Sequence, residues 1–173
     1  MLVISNNSPI RYLVLLDCIH LLPALFSRVT IPAEVQAELQ HPRTPAVVRA
    51  WIANPPTWVD IRQVSGTPEA DLLPLDGGEQ EAIFLAQELH ADLVLLDDRE
   101  ARKAAIRCAL RVMGTVGVLE QAAIHELIDL PEVCARLLTT NFRIKDYIIH
   151  DVLARDAARK AAAHAQSPEP QET

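Results

Sequence analysis

The chain has 173 residues, a net charge of −7 and a hydrophobic share of 50%, which suits one sizeable core and not two. A globally acidic chain does not coat nucleic acid non-specifically, so any role on nucleic acid must depend on local basic patches or on metal ions. The three cysteines, Cys18, Cys108 and Cys134, are widely spaced within apolar helical patterns. This spacing argues against a disulfide framework and against a zinc knuckle.

No segment of the sequence is typical of targeting or membrane insertion. The first residues lack a basic region, and no apolar run reaches transmembrane length, so we expect a cytoplasmic protein without a membrane partner. We predict a single domain over residues 1–165. Residues 166–173 are rich in Pro, Glu and Gln and have no apolar side chains, and we expect them to form a disordered tail.

Short apolar strands alternate with helical patterns along the chain, which is typical of an α/β protein with a central parallel sheet. The first strand is followed by a polar turn, in which Ser8 is the expected N-cap and Pro9 the first helical residue. The predicted strands cover residues 2–5, 29–31, 58–61, 93–96 and 111–113. The predicted helices cover residues 10–17, 21–26, 45–53, 99–110 and 115–128. A further helix is predicted to open at Pro32 and another near Gly77, and helical stretches follow beyond residue 131 and over residues 144–164.

One helix of this pattern directs a carboxylate toward the sheet. The helix is expected to begin near Gly77 with Asp76 as its cap, and Glu79 falls in the same arc as the apolar residues Ala82 and Ile83. That arc must face the sheet. An inward carboxylate costs free energy unless something pairs with it.

Several oxygen-bearing side chains follow the ends of predicted strands or face them. Asp97 and Asp98 end an apolar strand, and Asn6 ends the first one, so with Glu79 they should converge at the carboxyl edge of the sheet. Each also has a structural interpretation: the acids suit helix caps, and Glu38 suits a solvated helix face. Together, these oxygens suit a hard cation such as Mg²⁺ or Mn²⁺.

The same residues lie in motifs that resemble those of the PIN-domain nucleases, which include the VapC-type ribonuclease toxins of toxin–antitoxin systems. The resemblance covers most of the chain, and within the family it is nearest to a subgroup without an assigned function. It rests on Val3-Ile4-Ser5-Asn6-Asn7-Ser8-Pro9-Ile10, Ile31-Pro32-x-x-Val35-x-x-Glu38-Leu39, Leu75-Asp76-x-Gly78-Glu79-x-Glu81-Ala82-Ile83, Leu95-Leu96-Asp97-Asp98-Arg99 and Gly114-Thr115-x-Gly117-Val118-Leu119.

The resemblance implies a three-layer α/β/α fold with a central parallel sheet, an acidic pocket and a helical C-terminal extension. The acidic positions of the family fall on Asn6, Glu38, Glu79 and Asp98, with Asp97 beside them. Most PIN nucleases have an Asp where this chain has Asn6. An amide oxygen can bind a metal ion but brings no charge, and the affinity for hard cations depends on the charge of the ligands.

The hypothesis from sequence is a metal-dependent ribonuclease, the toxin of a toxin–antitoxin pair. Glu79, Asp98 and Glu38 are its candidate catalytic residues, and the candidate ligands of Mg²⁺ or Mn²⁺ are Asn6, Glu79, Asp97 and Asp98.

The expected partners are RNA, an antitoxin protein and a second copy of the chain. Arg99, Arg102 and Lys103 follow Asp98 on one helix and are candidates for phosphate contacts, although a solvated basic face explains them equally well.

The sequence also bears on other classes of protein. One is a non-catalytic PIN-like binding module, which Asn6 favours. The other is a phosphoacceptor receiver domain, which needs acids after its first strand and a Lys after a late strand, and this sequence has neither. A dinucleotide-binding fold is disfavoured because no Gly-x-Gly-x-x-Gly follows a strand.

Overall fold

The computed structural model describes residues 1–66, 72 and 74–166. Residues 167–173 of the predicted tail lie outside the described residues, whereas Gln166 ends a helix. The chain forms two compact units, Met1–Val118 and Leu119–Thr173. The single domain expected from the sequence stays a prediction.

The first unit is built on a parallel sheet whose strands are short and largely apolar. Such strands suit a sheet that is covered on both faces, because no alternation of polar and apolar side chains is then needed. Helices flank this sheet, so the predicted α/β fold is confirmed. Within the described residues the strands are β1 (Val3–Ser5), β2 (Val29–Pro32), β3 (Val59–Arg62), β4 (Leu93–Leu95) and β5 (Val112–Met113), in the spatial order β3-β2-β1-β4-β5 with every pair parallel.

The strand order creates a switch point beside β1. The chain first builds outward from β1 to β2 and β3, and it then returns to place β4 on the opposite side of β1. In open α/β sheets, ligands bind outside the carboxyl ends of the strands at such a point. The residues directly after β1 and β4 therefore occupy the position that this topology favours for a site.

The helices agree closely with the predicted pattern. Helix α5 packs its small and apolar face into a core cluster that includes Ala82, Ile83 and Val94. The helices of the first unit are α1 (Asn7–Leu15), α2 (Leu21–Phe26), α3 (Ala33–Gln40), α4 (Ala46–Ala53), α5 (Gly77–Glu88) and α6 (Arg99–Arg107), and α7 covers Thr115–Ile124.

The start of α1 differs from the sequence prediction. Asn6 is the N-cap and the helix begins at Asn7, not after Ser8. Pro9 is consequently the third helical residue. This position accepts proline because the first four N–H groups of a helix have no intrahelical acceptor, so the missing donor costs nothing.

The second unit is helical in its described residues and contains α8 (Leu130–Leu138) and α9 (Asp146–Gln166). Asp129 caps α8 by accepting a hydrogen bond from the Glu132 amide at 3.0 Å. Asp156 on α9 is buried and accepts hydrogen bonds from Arg159 and Lys160, and the Lys160 ammonium is also 3.5 Å from Asp129. This ion-pair network ties α8 to α9. Among the helices that the structure describes, none is long and apolar enough to cross a membrane.

Candidate functional site

Glu38 joins helix α3 to the start of helix α5. Its Oε1 accepts a hydrogen bond from the Gly78 amide at 2.8 Å, and its Oε2 accepts one from Asn7 Nδ2. The first N–H groups of a helix need acceptors from outside the helix, and a carboxylate there also interacts favourably with the helix dipole. Burial is the main cause that raises the pKa of Glu38. The carboxylate thus supports the turn that carries Glu79.

The close approach of Glu38 explains why residue 78 is a glycine. A Cβ atom on Gly78 would lie 2.6 Å and 2.7 Å from the two Glu38 carboxylate oxygens, whereas a Cβ on Gly77 would lie no nearer than 3.3 Å to the Glu34 side chain. A side chain at position 78 would therefore push the Glu38 carboxylate away from the Gly78 amide, whereas one at position 77 would not.

We expect Gly78→Ala to be less stable than the matched control Gly77→Ala by about 1–2 kcal/mol. Both substitutions gain helix propensity, but only Gly78→Ala loses a hydrogen bond to a charged group. Urea unfolding of the two variants measures the difference. Equal free energies of unfolding would show that the Glu38 contact contributes no stability.

Glu79 lies among other carboxylates at the beginning of α5. It forms a capping box with Asp76, whose amide is 3.3 Å from Glu79 Oε2, as the spacing predicted. Burial, together with the nearby charges of Asp98, Asp76 and Glu38, raises the pKa of Glu79 to about 7, although the hydrogen bond from the Asp76 amide opposes this shift. The structure therefore brings Glu38, Glu79 and Asp98 together, as expected from the sequence, and gives Glu79 a strongly perturbed pKa.

Asn6 lies at the switch point between β1 and β4. Its backbone N–H donates a hydrogen bond to the Leu95 carbonyl at 3.0 Å, which extends the pairing of the two strands by one residue. The residue is 3% exposed, and its side-chain Oδ1 is buried without a hydrogen-bond partner among the described residues. A buried amide oxygen without a donor costs free energy, and such a group calls for an explanation such as a bound ion or water.

The two acids after β4 serve different helices. Asp98 is the N-cap of α6, and its Oδ1 accepts hydrogen bonds from the amides of Glu100 and Ala101 at 2.8 Å and 2.9 Å. The half-buried Asp97 accepts hydrogen bonds from both the amide and the hydroxyl of Thr115. Burial raises the pKa of Asp97, although the Thr115 hydrogen bonds and the charge of Arg102 oppose this shift.

The three basic residues proposed for phosphate contacts lie on α6 in different environments. Arg102 Nη1 donates a hydrogen bond to the Leu96 carbonyl at 3.1 Å, so this side chain is directed back toward the end of β4. Lys103 pairs with Glu100 at 2.8 Å on the exposed surface, where such pairs contribute little stability. Arg99 is exposed at the beginning of the helix, next to Asp98.

The donor set fits a hard cation in its chemistry. Glu79 and Asp98 supply carboxylate oxygens, and the unpartnered Oδ1 of Asn6 supplies a neutral one. In the part of the chain that the structure describes, no group of three or more His, Cys, Asp or Glu side chains is arranged to hold a metal ion. Both Glu38 oxygens and one Asp98 oxygen accept backbone or side-chain hydrogens instead. The candidate ligands for a hard cation are therefore the carboxylates of Glu79 and Asp98 and the side-chain amide of Asn6.

Three contributors to the site are absent from the sequence predictions. Asn7 lies in the polar turn predicted after the first strand, and its side-chain amide donates a hydrogen bond to Glu38. The backbone amide of Gly78 donates a hydrogen bond to Glu38, and that of Thr115 donates one to Asp97. The Gly-Thr pair directly after a strand was the available signal for Thr115, because Thr at the start of a helix offers a hydroxyl and an amide together.

A parallel sheet with carboxylates at its switch point defines an α/β protein with an acidic candidate site. Residues 2–157 match a protein family, DUF3368, that is described as a PIN domain, and the chain belongs to this family. PIN domains are generally nucleases and typically use divalent metal ions.

Sequence and structure comparisons add one further similarity. No curated protein matches the sequence. Among solved structures, the chain is similar to a PilT N-terminus domain protein from the hyperthermophilic archaeon Sulfolobus solfataricus P2. The sequence identity is 15%, the TM-score is 0.48, and the match covers 84% of this chain and 100% of that chain.

Proposed function

We propose that this PIN-domain protein is an endoribonuclease that hydrolyses phosphodiester bonds with the help of Mg²⁺ or Mn²⁺. The observation that carries the proposal is the raised pKa of Glu79, about 7, which burial and the nearby charges of Asp98, Asp76 and Glu38 produce. Strongly perturbed carboxylates in one place are typical of functional sites. A divalent cation would offset their repulsion.

The residues of the site divide into ligands and supports. Glu79, Asp98 and the Oδ1 of Asn6 are the proposed ligands, while Glu38 holds the beginning of α5 in place through the Gly78 amide. A metal ion bound there would lower the pKa of a water molecule and neutralise charge on the scissile phosphate. Arg99, which is exposed beside Asp98, is the proposed contact for a neighbouring phosphate.

A cleavage assay with Mn²⁺ tests the proposal. The purified chain is titrated with Mn²⁺ or Mg²⁺ on a fluorescent single-stranded RNA, with an Asp98→Asn variant prepared in parallel. We expect cleavage that requires the metal ion and that the variant lacks. Cleavage that persists in a chelator, or equally in Asp98→Asn, would indicate a contaminating nuclease.

The resemblance to VapC-type proteins extends the proposal to biological role and partners. On this view the chain is the toxin of a toxin–antitoxin pair, acts as a homodimer in the cytoplasm and is held inactive by a small antitoxin. Expression of the chain in a bacterial host should then arrest growth, and a catalytically inactive Asp98→Asn variant should not.

A non-catalytic PIN-like binding module is the second candidate function. Asn6 favours it, because a neutral amide stands where most PIN nucleases have an acid and so lowers the charge available to hold a cation. Under this alternative, RNA binding would be independent of Mn²⁺ and no cleavage would occur.

A further inference from the structure

Asp97 and Asp98 are consecutive residues that cap two different helices. Asp98 caps α6, which follows it directly. Asp97 reaches across to α7 and accepts two hydrogen bonds from its first residue, one from the Thr115 amide at 2.7 Å and one from the Thr115 hydroxyl at 2.6 Å. Consecutive residues in an extended segment point their side chains in opposite directions, so the two carboxylates serve opposite sides of the same turn.

The contact between Asp97 and Thr115 engages both oxygens of the Asp97 carboxylate. Each Asp97 oxygen accepts one hydrogen from Thr115, and Thr115 is fully buried. The packing around the contact is also tight, because a Cβ on Gly114 would lie 2.9 Å from Asp97 Oδ1 and 3.0 Å from Arg102 Nη1. A charge-assisted hydrogen bond away from water is among the stronger polar contacts of a protein.

Two further bonds connect this contact to the turn that carries Asp98. Leu96 donates to the Met113 carbonyl at 2.8 Å, and its own carbonyl accepts from Arg102 Nη1 at 3.1 Å. The turn after β4 is therefore fixed by β5 through the Leu96 amide, by α7 through Asp97, and by α6 through Asp98 and Arg102.

We propose that Asp97 and Thr115 form a positioning pair, which holds the turn after β4 so that Asp98 faces Glu79, and that Asp97 is not itself a metal ligand. This inference rests on the proposed function and deepens it, since it separates the two adjacent acids into a ligand and its support. Groups that orient metal ligands typically change metal affinity or activity by about 10- to 100-fold when they are removed.

Thr115→Val distinguishes the two roles by the sign of its effect on Mn²⁺ binding. The substitution removes the hydroxyl while keeping a β-branched side chain, so Asp97 loses one of its two hydrogen bonds. If the pair positions Asp98, the dissociation constant for Mn²⁺ rises by about 10-fold. If Asp97 is a ligand that Thr115 holds back, the substitution frees it and the dissociation constant falls. A merely structural contact would lower the melting temperature and leave the dissociation constant unchanged.

Thr115→Ser and Asp97→Asn are the matched variants. Thr115→Ser keeps the hydroxyl and lacks only the methyl group, so it should bind Mn²⁺ with wild-type affinity. Asp97→Asn keeps the shape of the side chain and an acceptor for the Thr115 amide. It should therefore fold, and it should weaken Mn²⁺ binding less than Asp98→Asn does. Equal weakening by Asp97→Asn and Asp98→Asn would overturn the proposal.

A second measurement does not depend on metal binding or on ribonuclease activity. The amides of Glu100 and Ala101 donate to Asp98 Oδ1, so their hydrogen exchange reports whether Asp98 keeps its place. In metal-free Thr115→Val, these two amides should exchange about 10-fold faster than in Thr115→Ser, while amides of α5 keep their rates. Unchanged exchange at Glu100 and Ala101 would overturn the positioning role. If exchange changes as expected but the wild type binds no Mn²⁺, the proposed function fails and the positioning of Asp98 stands.

Discussion

Glu79→Gln is expected to stabilise the metal-free protein at pH 8, to leave its stability unchanged near pH 4, and to lower metal-dependent cleavage strongly. The pKa of Glu79 is raised from 4.5 to about 7 in the folded chain, so between these values the folded state binds a proton that the unfolded state has released. Stability therefore falls as pH rises through this window and stays low above it. Glutamine imitates the protonated form at every pH.

Glu79→Gln should change both the free energy of unfolding and the rate of RNA cleavage. One pKa unit corresponds to about 1.36 kcal/mol, and after allowance for solvent screening at a half-buried group we expect a gain of about 1–2 kcal/mol at pH 8. Glutamine can keep the capping-box hydrogen bond to Asp76. Loss of a charged ligand should lower RNA cleavage by about 100-fold or more, equivalent to roughly 2.7 kcal/mol of transition-state stabilisation.

Glu81→Gln is the matched control, because it removes the same charge from the same helix two residues further on. Thermal unfolding of the two variants and the wild type from pH 4 to pH 8 gives the comparison. Glu79→Gln should show a flatter pH profile than Glu81→Gln. Parallel profiles for all three proteins would mean that Glu79 is not part of a desolvated carboxylate cluster.

The sheet and most helices could be predicted from the sequence because their signals are local. Runs such as Val3–Ser5 and Leu93–Leu95 are fully buried, and buried parallel strands have this apolar composition. Asp76 and Glu79 have capping-box spacing, and the structure contains that capping box. In these places the residues that determine the structure are neighbours in the chain.

The ends of several helices were harder to predict, because glycine is absent where it usually marks them. After α1, α5, α6 and α7 the chain turns through a residue with positive φ, namely Asp17, His90, Ala109 and Glu126. At Ala109 the hydrogen bonds Ala109 to Ile106 and Leu110 to Ala105 form a Schellman motif. This conformation is sterically unfavourable for residues other than glycine. A sequence without glycine at this point therefore indicates a helix that continues, and the predicted helix 99–110 runs past the observed end at Arg107.

The partners of the site carboxylates could not be predicted, since they come from distant parts of the chain. Asp97 and Asp98 look equivalent as a sequence pair, yet one binds Thr115 on α7 and the other caps α6. Glu38 was proposed as a catalytic acid, and the structure adds its contacts with Asn7 and Gly78. Which oxygen remains available to a metal ion depends on these tertiary hydrogen bonds and not on spacing.

Asn6→Asp is expected to tighten Mn²⁺ binding by about 10-fold and to raise metal-dependent cleavage, since it adds a charged ligand to the proposed set. Without metal the same substitution should lower stability at pH 8 by about 1–3 kcal/mol. It places a carboxylate at a buried position whose Oδ1 has no donor in the described residues, and it adds a third negative charge to the proposed ligand set. Because metal ions bind only the folded state, saturating Mn²⁺ should recover that stability.

Asn7→Asp is the matched control, because it adds the same charge at the next residue. It would remove the donor to Glu38 and set two carboxylates against each other, so it should destabilise the metal-free protein without tightening the metal site. Isothermal titration with Mn²⁺ and thermal unfolding with and without the ion compare the two variants directly. If Asn6→Asp binds Mn²⁺ no more tightly than Asn7→Asp, Asn6 does not face the metal site. If the wild type, Asn6→Asp and Glu79→Gln all bind Mn²⁺ equally weakly and none cleaves RNA, the non-catalytic binding module is the correct account of this chain.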